Sequence, residues 1–112
     1  MKKLEVIIRP DKLEDLKDLL NERGIYGMTV YMVTGCGHQK GRTQYYRGTE
    51  VNINLLPKAK VEIVLPDDAA KEIIEPIMER VRTGNYGDGK IFVYDCEQAY
   101  RIRTGETGEE IL

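Results

Sequence analysis

Two strand–helix–strand segments in succession, separated by one long stretch without clear apolar periodicity, limit most strongly what this chain can fold into. Leu4, Val6 and Ile8 alternate with Glu5, Ile7 and Arg9, giving the two-residue period of a strand. Pro10-Asp11 breaks that strand, and Asp11 is expected to cap a helix, with Glu14 as its capping-box partner. Leu13, Leu16, Leu19 and Leu20 repeat at helical spacing, and Gly24 supplies the stop. Met28 to Val33 alternates again as a second strand. The second half begins with Val61, Ile63 and Leu65 as a third strand. It turns into a helix at Pro66-Asp67-Asp68, whose carboxylates suit the positive end of a helix. The apolar face of this helix is Ala70, Ile73, Ile74, Ile77, Met78 and Val81, and Pro76 is expected to kink it by removing one hydrogen bond. Gly84 ends it, and Lys90 to Asp95 forms a fourth strand.

This order predicts an α+β fold of the ferredoxin-like kind: a double βαβ unit with a four-stranded antiparallel sheet and both helices on one face. The 112 residues suffice for one domain with one core. The stretch from Gly35 to Leu56 is too long for an ordinary connection. It reads as a protruding loop with a weak hairpin near its base. Ile7, Val64, Phe92 and Tyr94 fall on the sheet face that no helix is left to cover, which predicts self-association. A net charge of -2 gives no bulk attraction for nucleic acid or anionic membrane. The opening residues lack the apolar core of a signal peptide, and no apolar run approaches a membrane span, so a cytoplasmic protein is expected. Cys36 and Cys96 make neither a metal spacing nor a disulfide framework.

The sharpest local pattern is Thr83-Gly84-Asn85-Tyr86-Gly87-Asp88-Gly89-Lys90. Gly84, Gly89 and Lys90 nearly spell a Walker A loop. However, Ile91 stands where a magnesium-binding hydroxyl is needed, and the loop follows a helix and opens a strand, the reverse of a P-loop. The physics of the pattern survives: glycines let backbone N–H groups converge on an anion, and Lys90 adds charge. The bland alternative is a helix cap and turn. Arg101-Ile102-Arg103, read as extended, would send two guanidiniums to one side, a fork suited to phosphate oxygens, or simply two solvated arginines. His38, the one histidine, lacks the partners of a zinc site, and Gln39 offers a side-chain carbonyl to a hard cation. No nucleophile–base pair or nucleophile elbow can be argued, so no catalytic residue is expected.

Taken together, these residues resemble the PII family of nitrogen-regulatory signal proteins. The family's T-loop corresponds to about 37–55, with Gln39-Lys40-Gly41, Tyr46-Arg47-Gly48 and, just beyond, Leu56-Pro57-Lys58 in place. Its B-loop corresponds to about 82–90, and its C-terminal loop to about 101–112 with Arg101-Ile102-Arg103-Thr104-Gly105-Glu106. The resemblance implies a homotrimer with ATP or ADP competing for clefts between subunits. Gly87, Asp88, Gly89 and Lys90 would hold the phosphates, and Arg101, Ile102 and Arg103 would reach in from a neighbour. Thr29, Gly37, Glu62 and Val64 would line the base and sugar pocket. With Mg2+ and ATP bound, 2-oxoglutarate would chelate the metal, Gln39 adding an oxygen, Lys58 pairing with the distal carboxylate and Gly87 lying alongside. It further implies target proteins gripped through the T-loop: an Amt-type ammonium transporter, with Arg47 entering its pore, a nitrogen-assimilation enzyme, or a transcription regulator. Membrane contact would come only through the transporter, and direct nucleic-acid binding is not implied. Val51 stands where many members carry a uridylylated tyrosine, so that modification is excluded at this position; Thr49 stands at a position that cyanobacterial members phosphorylate as serine. His38 replaces the usual arginine beside the terminal phosphate, predicting a weaker preference for ATP over ADP and a pH dependence near neutrality. The competing readings are a weak ATPase using the same site and a ferredoxin-like ligand binder outside nitrogen control.

Overall fold

The computed structural model describes residues 1–36, 42–46, 49–53 and 55–112, the two middle segments as backbone only. Among the described residues, six strands and two α-helices follow in the order β1 (Lys2–Ile8), α1 (Leu13–Glu22), β2 (Thr29–Gly35), β3 (Arg42–Tyr46), β4 (Thr49–Ile53), β5 (Leu56–Leu65), α2 (Asp67–Val81) and β6 (Lys90–Asp95). The main sheet has the order β2-β5-β1-β6, and every neighbouring pair is antiparallel. This is the ferredoxin-like arrangement expected from the doubled pattern.

Alternation along the strands builds the core. Leu4, Val6 and Ile8 of β1 and Ala59, Val61, Ile63 and Leu65 of β5 point to one face. There they meet Leu16, Leu19 and Leu20 of α1 and Ala70, Ile73, Ile77 and Val81 of α2, all buried. The helix-free face carries the other register: Ile7, Val64, Phe92 and Tyr94, as expected, but interleaved with charge. Lys60 pairs with Glu5 at 3.0 Å and Glu62 at 3.7 Å, and the Tyr31 hydroxyl donates to Glu62 at 3.0 Å. The Lys3 ammonium sits 5.0 Å from the Tyr94 ring centre. The open face is therefore a mixed aromatic and ionic surface rather than a bare apolar one.

Several local expectations are corrected. Asp11 caps nothing with its side chain; Pro10–Lys12 forms a 3-10 turn closed by Lys12 N–H on the Arg9 carbonyl, and α1 starts one residue later. The stop at Gly24 stands: its φ is 74°, and Ile25 N–H returns to the Leu20 carbonyl in a Schellman-type cap. Helix α2 runs as one element across Pro76. The donor missing at Pro76 would have met the carbonyl of Glu72, an exposed residue, so water can take that acceptor. The second strand continues to Gly35 and the third begins at Leu56, because these residues pair with each other at the root of the long segment. Pro57 is tolerated there because the β1 ladder on β5 begins only at Ala59, leaving Pro57 with a partner on one side alone. Within the long segment, β3 and β4 pair separately, Arg42 opposite Ile53 and Tyr46 opposite Thr49, farther out than a hairpin at the base. Among the described residues no helix is long and apolar enough to cross a membrane.

Candidate nucleotide site

The turn from α2 to β6 is organised around one carboxylate. Asp88 accepts hydrogen bonds from the backbone N–H groups of Thr83 and Gly84, both at 2.9 Å, and from the Thr83 hydroxyl. Arg9, immediately after β1, donates from Nε to Asp88 at 3.1 Å and from Nη2 to the Tyr86 carbonyl at 2.6 Å. Burial pushes the Asp88 carboxyl up, but the hydrogen bonds from Thr83, Gly84 and Arg9 outweigh it and hold the group well below the usual carboxylate range. Glycines are required by shape here. Gly87 has φ 95° and Gly89 φ 100°. A Cβ on Gly89 would lie 1.7 Å from the Ile7 carbonyl oxygen, so the loop rests directly on the end of β1.

The loop lines an open cleft of about 440 Å³ together with Gly35, Cys36 and Lys58. Lys58 is almost fully buried, and its Nζ donates to the Gly87 carbonyl at 2.6 Å. Burial pushes its ammonium down, and the nearby Arg9 acts in the same direction while Asp88 opposes it. Positive charge from Lys58, Lys90 and the glycine-rich backbone thus meets in one concavity, a chemistry that suits an anion. Among the described residues no cluster of histidine, cysteine and carboxylate could hold a metal ion.

Of the residues singled out from the sequence, Lys58, Gly87, Asp88, Gly89 and Lys90 meet in this cleft. Asp88 does so with its carboxylate spent on the loop itself. Thr29, Glu62 and Val64 lie on the open sheet face, Thr29 opposite Glu62 across the β2–β5 pair. Val64 is six positions beyond Lys58 on β5, about 20 Å away at the rise of a strand. Of the three, Val64 therefore lies well away from the Gly87–Lys90 loop in one chain. Nor does one chain bring Arg101, Ile102 and Arg103 into the cleft. These are not extended as expected: residues 102–104 form the turn of a hairpin closed by the Tyr100–Thr107 bridge. Gly105, with φ 75°, returns its N–H to the Arg101 carbonyl at 2.7 Å, and the Arg101 guanidinium donates to Glu106 at 2.9 Å. Gly37, His38, Gln39 and Arg47 lie outside the described residues. Arg9 was missed by sequence reasoning. Its partner is 79 positions away, and nothing local to Arg9 marks it.

Residues 1–106 match the family model described as nitrogen regulatory protein P-II. The chain belongs to the P-II family. Full-length relatives named nitrogen regulatory protein P-II include those of Pasteurella multocida, 54% identical, and Haemophilus influenzae, 51% identical, each over 112 residues and the whole of both chains. The relative named nitrogen regulatory protein P-II 1 of Escherichia coli K12 is 52% identical over the same span. As a P-II family member the chain is a nitrogen-regulatory signal protein and not an enzyme.

Proposed function

We propose that this P-II chain senses ATP and ADP in the cleft beside Gly87–Lys90, with 2-oxoglutarate as a further effector, and controls target proteins through the loop at about 37–55. The observation that carries the reading is the concavity itself: a glycine loop with two left-handed glycines, set against Lys58 and Lys90. An anion bound there meets backbone donors and two ammonium groups at once. Mg2+ would arrive with the phosphates of ATP and supply the centre that 2-oxoglutarate chelates. Gln39 is the residue assigned to it, and Lys58 suits the distal carboxylate.

The assembly that fits this reading is a homotrimer. Val64 lies about 20 Å along β5 from Lys58, and Arg101 and Arg103 lie outside the cleft, so a nucleotide held by all of them would draw on more than one chain. Arg101 and Arg103 are carried on a hairpin outside the cleft, with Ile102 fully exposed beside them, ready to meet a neighbour. Ligand states would then select loop conformations, and only some of these would dock a target. The targets implied are an Amt-type ammonium transporter, engaged by Arg47, and nitrogen-assimilation enzymes or transcription regulators, all met from the cytoplasm.

The test is a pull-down from cytosol and membrane fractions with the protein held in ATP plus 2-oxoglutarate or in ADP. Partners that bind in one ligand state and not the other are expected. Identical partners in both states would contradict ligand-gated control.

A further inference from the structure

Two cations hold the phosphate loop by its carbonyls. Arg9 Nη2 takes the Tyr86 carbonyl and Lys58 Nζ the Gly87 carbonyl, each at 2.6 Å. In a trans peptide the C=O and the following N–H point in opposite directions. The Tyr86 carbonyl shares its peptide with the N–H of Gly87, and the Gly87 carbonyl shares its peptide with the N–H of Asp88. Drawing both carbonyls onto cations therefore turns these two N–H groups away from the cations. The N–H groups of Thr83 and Gly84 are occupied by the Asp88 carboxylate. The donors of the peptides that Arg9 and Lys58 orient are therefore turned where a ligand can reach them.

We propose that Arg9 is a positioning residue for the phosphate loop, acting through the loop rather than by a contact with phosphate. One guanidinium spans two points of the loop, the Tyr86 carbonyl and the Asp88 carboxylate. Its own backbone is fixed, because the Arg9 carbonyl accepts from Lys12 N–H at 3.0 Å in the turn that closes β1. The loop is seated on the same strand end, where Gly89 abuts the Ile7 carbonyl. The strand thus passes its rigidity to the loop through one side chain. A lysine, with one head group, can replace only part of this link.

The inference rests on the nucleotide reading for its purpose, but its first measurement does not need nucleotide. Amide hydrogen exchange is followed over residues 83–90 in the nucleotide-free protein and in Arg9→Met, which keeps the stem and removes every donor. Calorimetry then compares ADP with adenosine, which lacks phosphate. In Arg9→Met, exchange across the loop accelerates, ADP binds about tenfold more weakly, the scale of one charge-assisted hydrogen bond, and adenosine binding is unchanged. Arg9→Lys falls between the two proteins in both measurements, and it serves alone should Arg9→Met not fold. Unchanged loop exchange in the variant overturns the proposal, including when ADP affinity falls, since that would mark a direct contact. A wild-type protein that binds no nucleotide would sink the nucleotide reading instead, and the exchange comparison would still decide whether Arg9 holds the loop.

Discussion

At the scale of single residues, the Asp88 carboxylate is engaged by its own loop and by Arg9, which would let it serve the proposed anion site without touching the anion. A carboxylate beside phosphate is repulsive, yet here it binds the start of its own loop and one arginine. Its folded-state pKa is depressed, so the stability it contributes is present above the unfolded carboxyl pKa of about 4 and is lost as pH falls below that. Asp88→Asn should therefore melt several degrees below wild type at pH 7, and the gap should narrow as the pH is lowered toward 3. A gap of constant size across that range would show that the charge is not what matters. Gly89 is constrained by space as well as by φ. Gly89→Ala places a methyl group against the Ile7 carbonyl and should cost at least about 2 kcal/mol, read from urea unfolding, through strain at a left-handed position and displacement of the strand end. An unfolding midpoint equal to wild type would mean the loop can lift off β1 freely.

At the scale of elements, α2 runs through its proline because Ile73 and Ile77 on either side of it are buried against the sheet. Packing then outweighs propensity. Pro76→Ala restores the donor and should raise the melting temperature, the helix-propensity difference being up to about 3 kcal/mol. A lower melting temperature would show that Pro76 is needed for packing. The strands and helices were legible because alternation and helical spacing are local signals. Strand ends were less so: Lys58 and Lys60 alternate with Ala59 and Val61 and extend β5, but Pro57 masked the pairing of Leu56 with Gly35, which depends on a partner strand. The glycines of the Gly84–Gly89 turn stood out for the same local reason. Arg9 did not, since its role arises from a contact that only the folded chain creates. In the Arg101 segment the alternation of Arg, Ile and Arg resembles a strand, whereas Gly105 and Glu106 fold it back.

At the scale of the whole molecule, the open sheet face and the exposed hairpin are the features that one chain leaves unused. The face mixes Tyr31, Phe92 and Tyr94 with the ion pairs of Lys60, Glu5 and Glu62, so association through it should be specific rather than merely adhesive. Light scattering coupled to size exclusion should give three chain masses, whereas a monomer at micromolar concentration would remove the intersubunit site. The central claim, that the Gly87–Lys90 cleft takes nucleotide phosphates, is tested most directly by calorimetric titration of ADP and ATP into wild type and Lys90→Ala. The account predicts one saturable site per chain, competition between the two nucleotides, and affinity at least about tenfold weaker in Lys90→Ala, as expected for loss of a charged phosphate contact. No binding to wild type, or equal affinity in the variant, would contradict it.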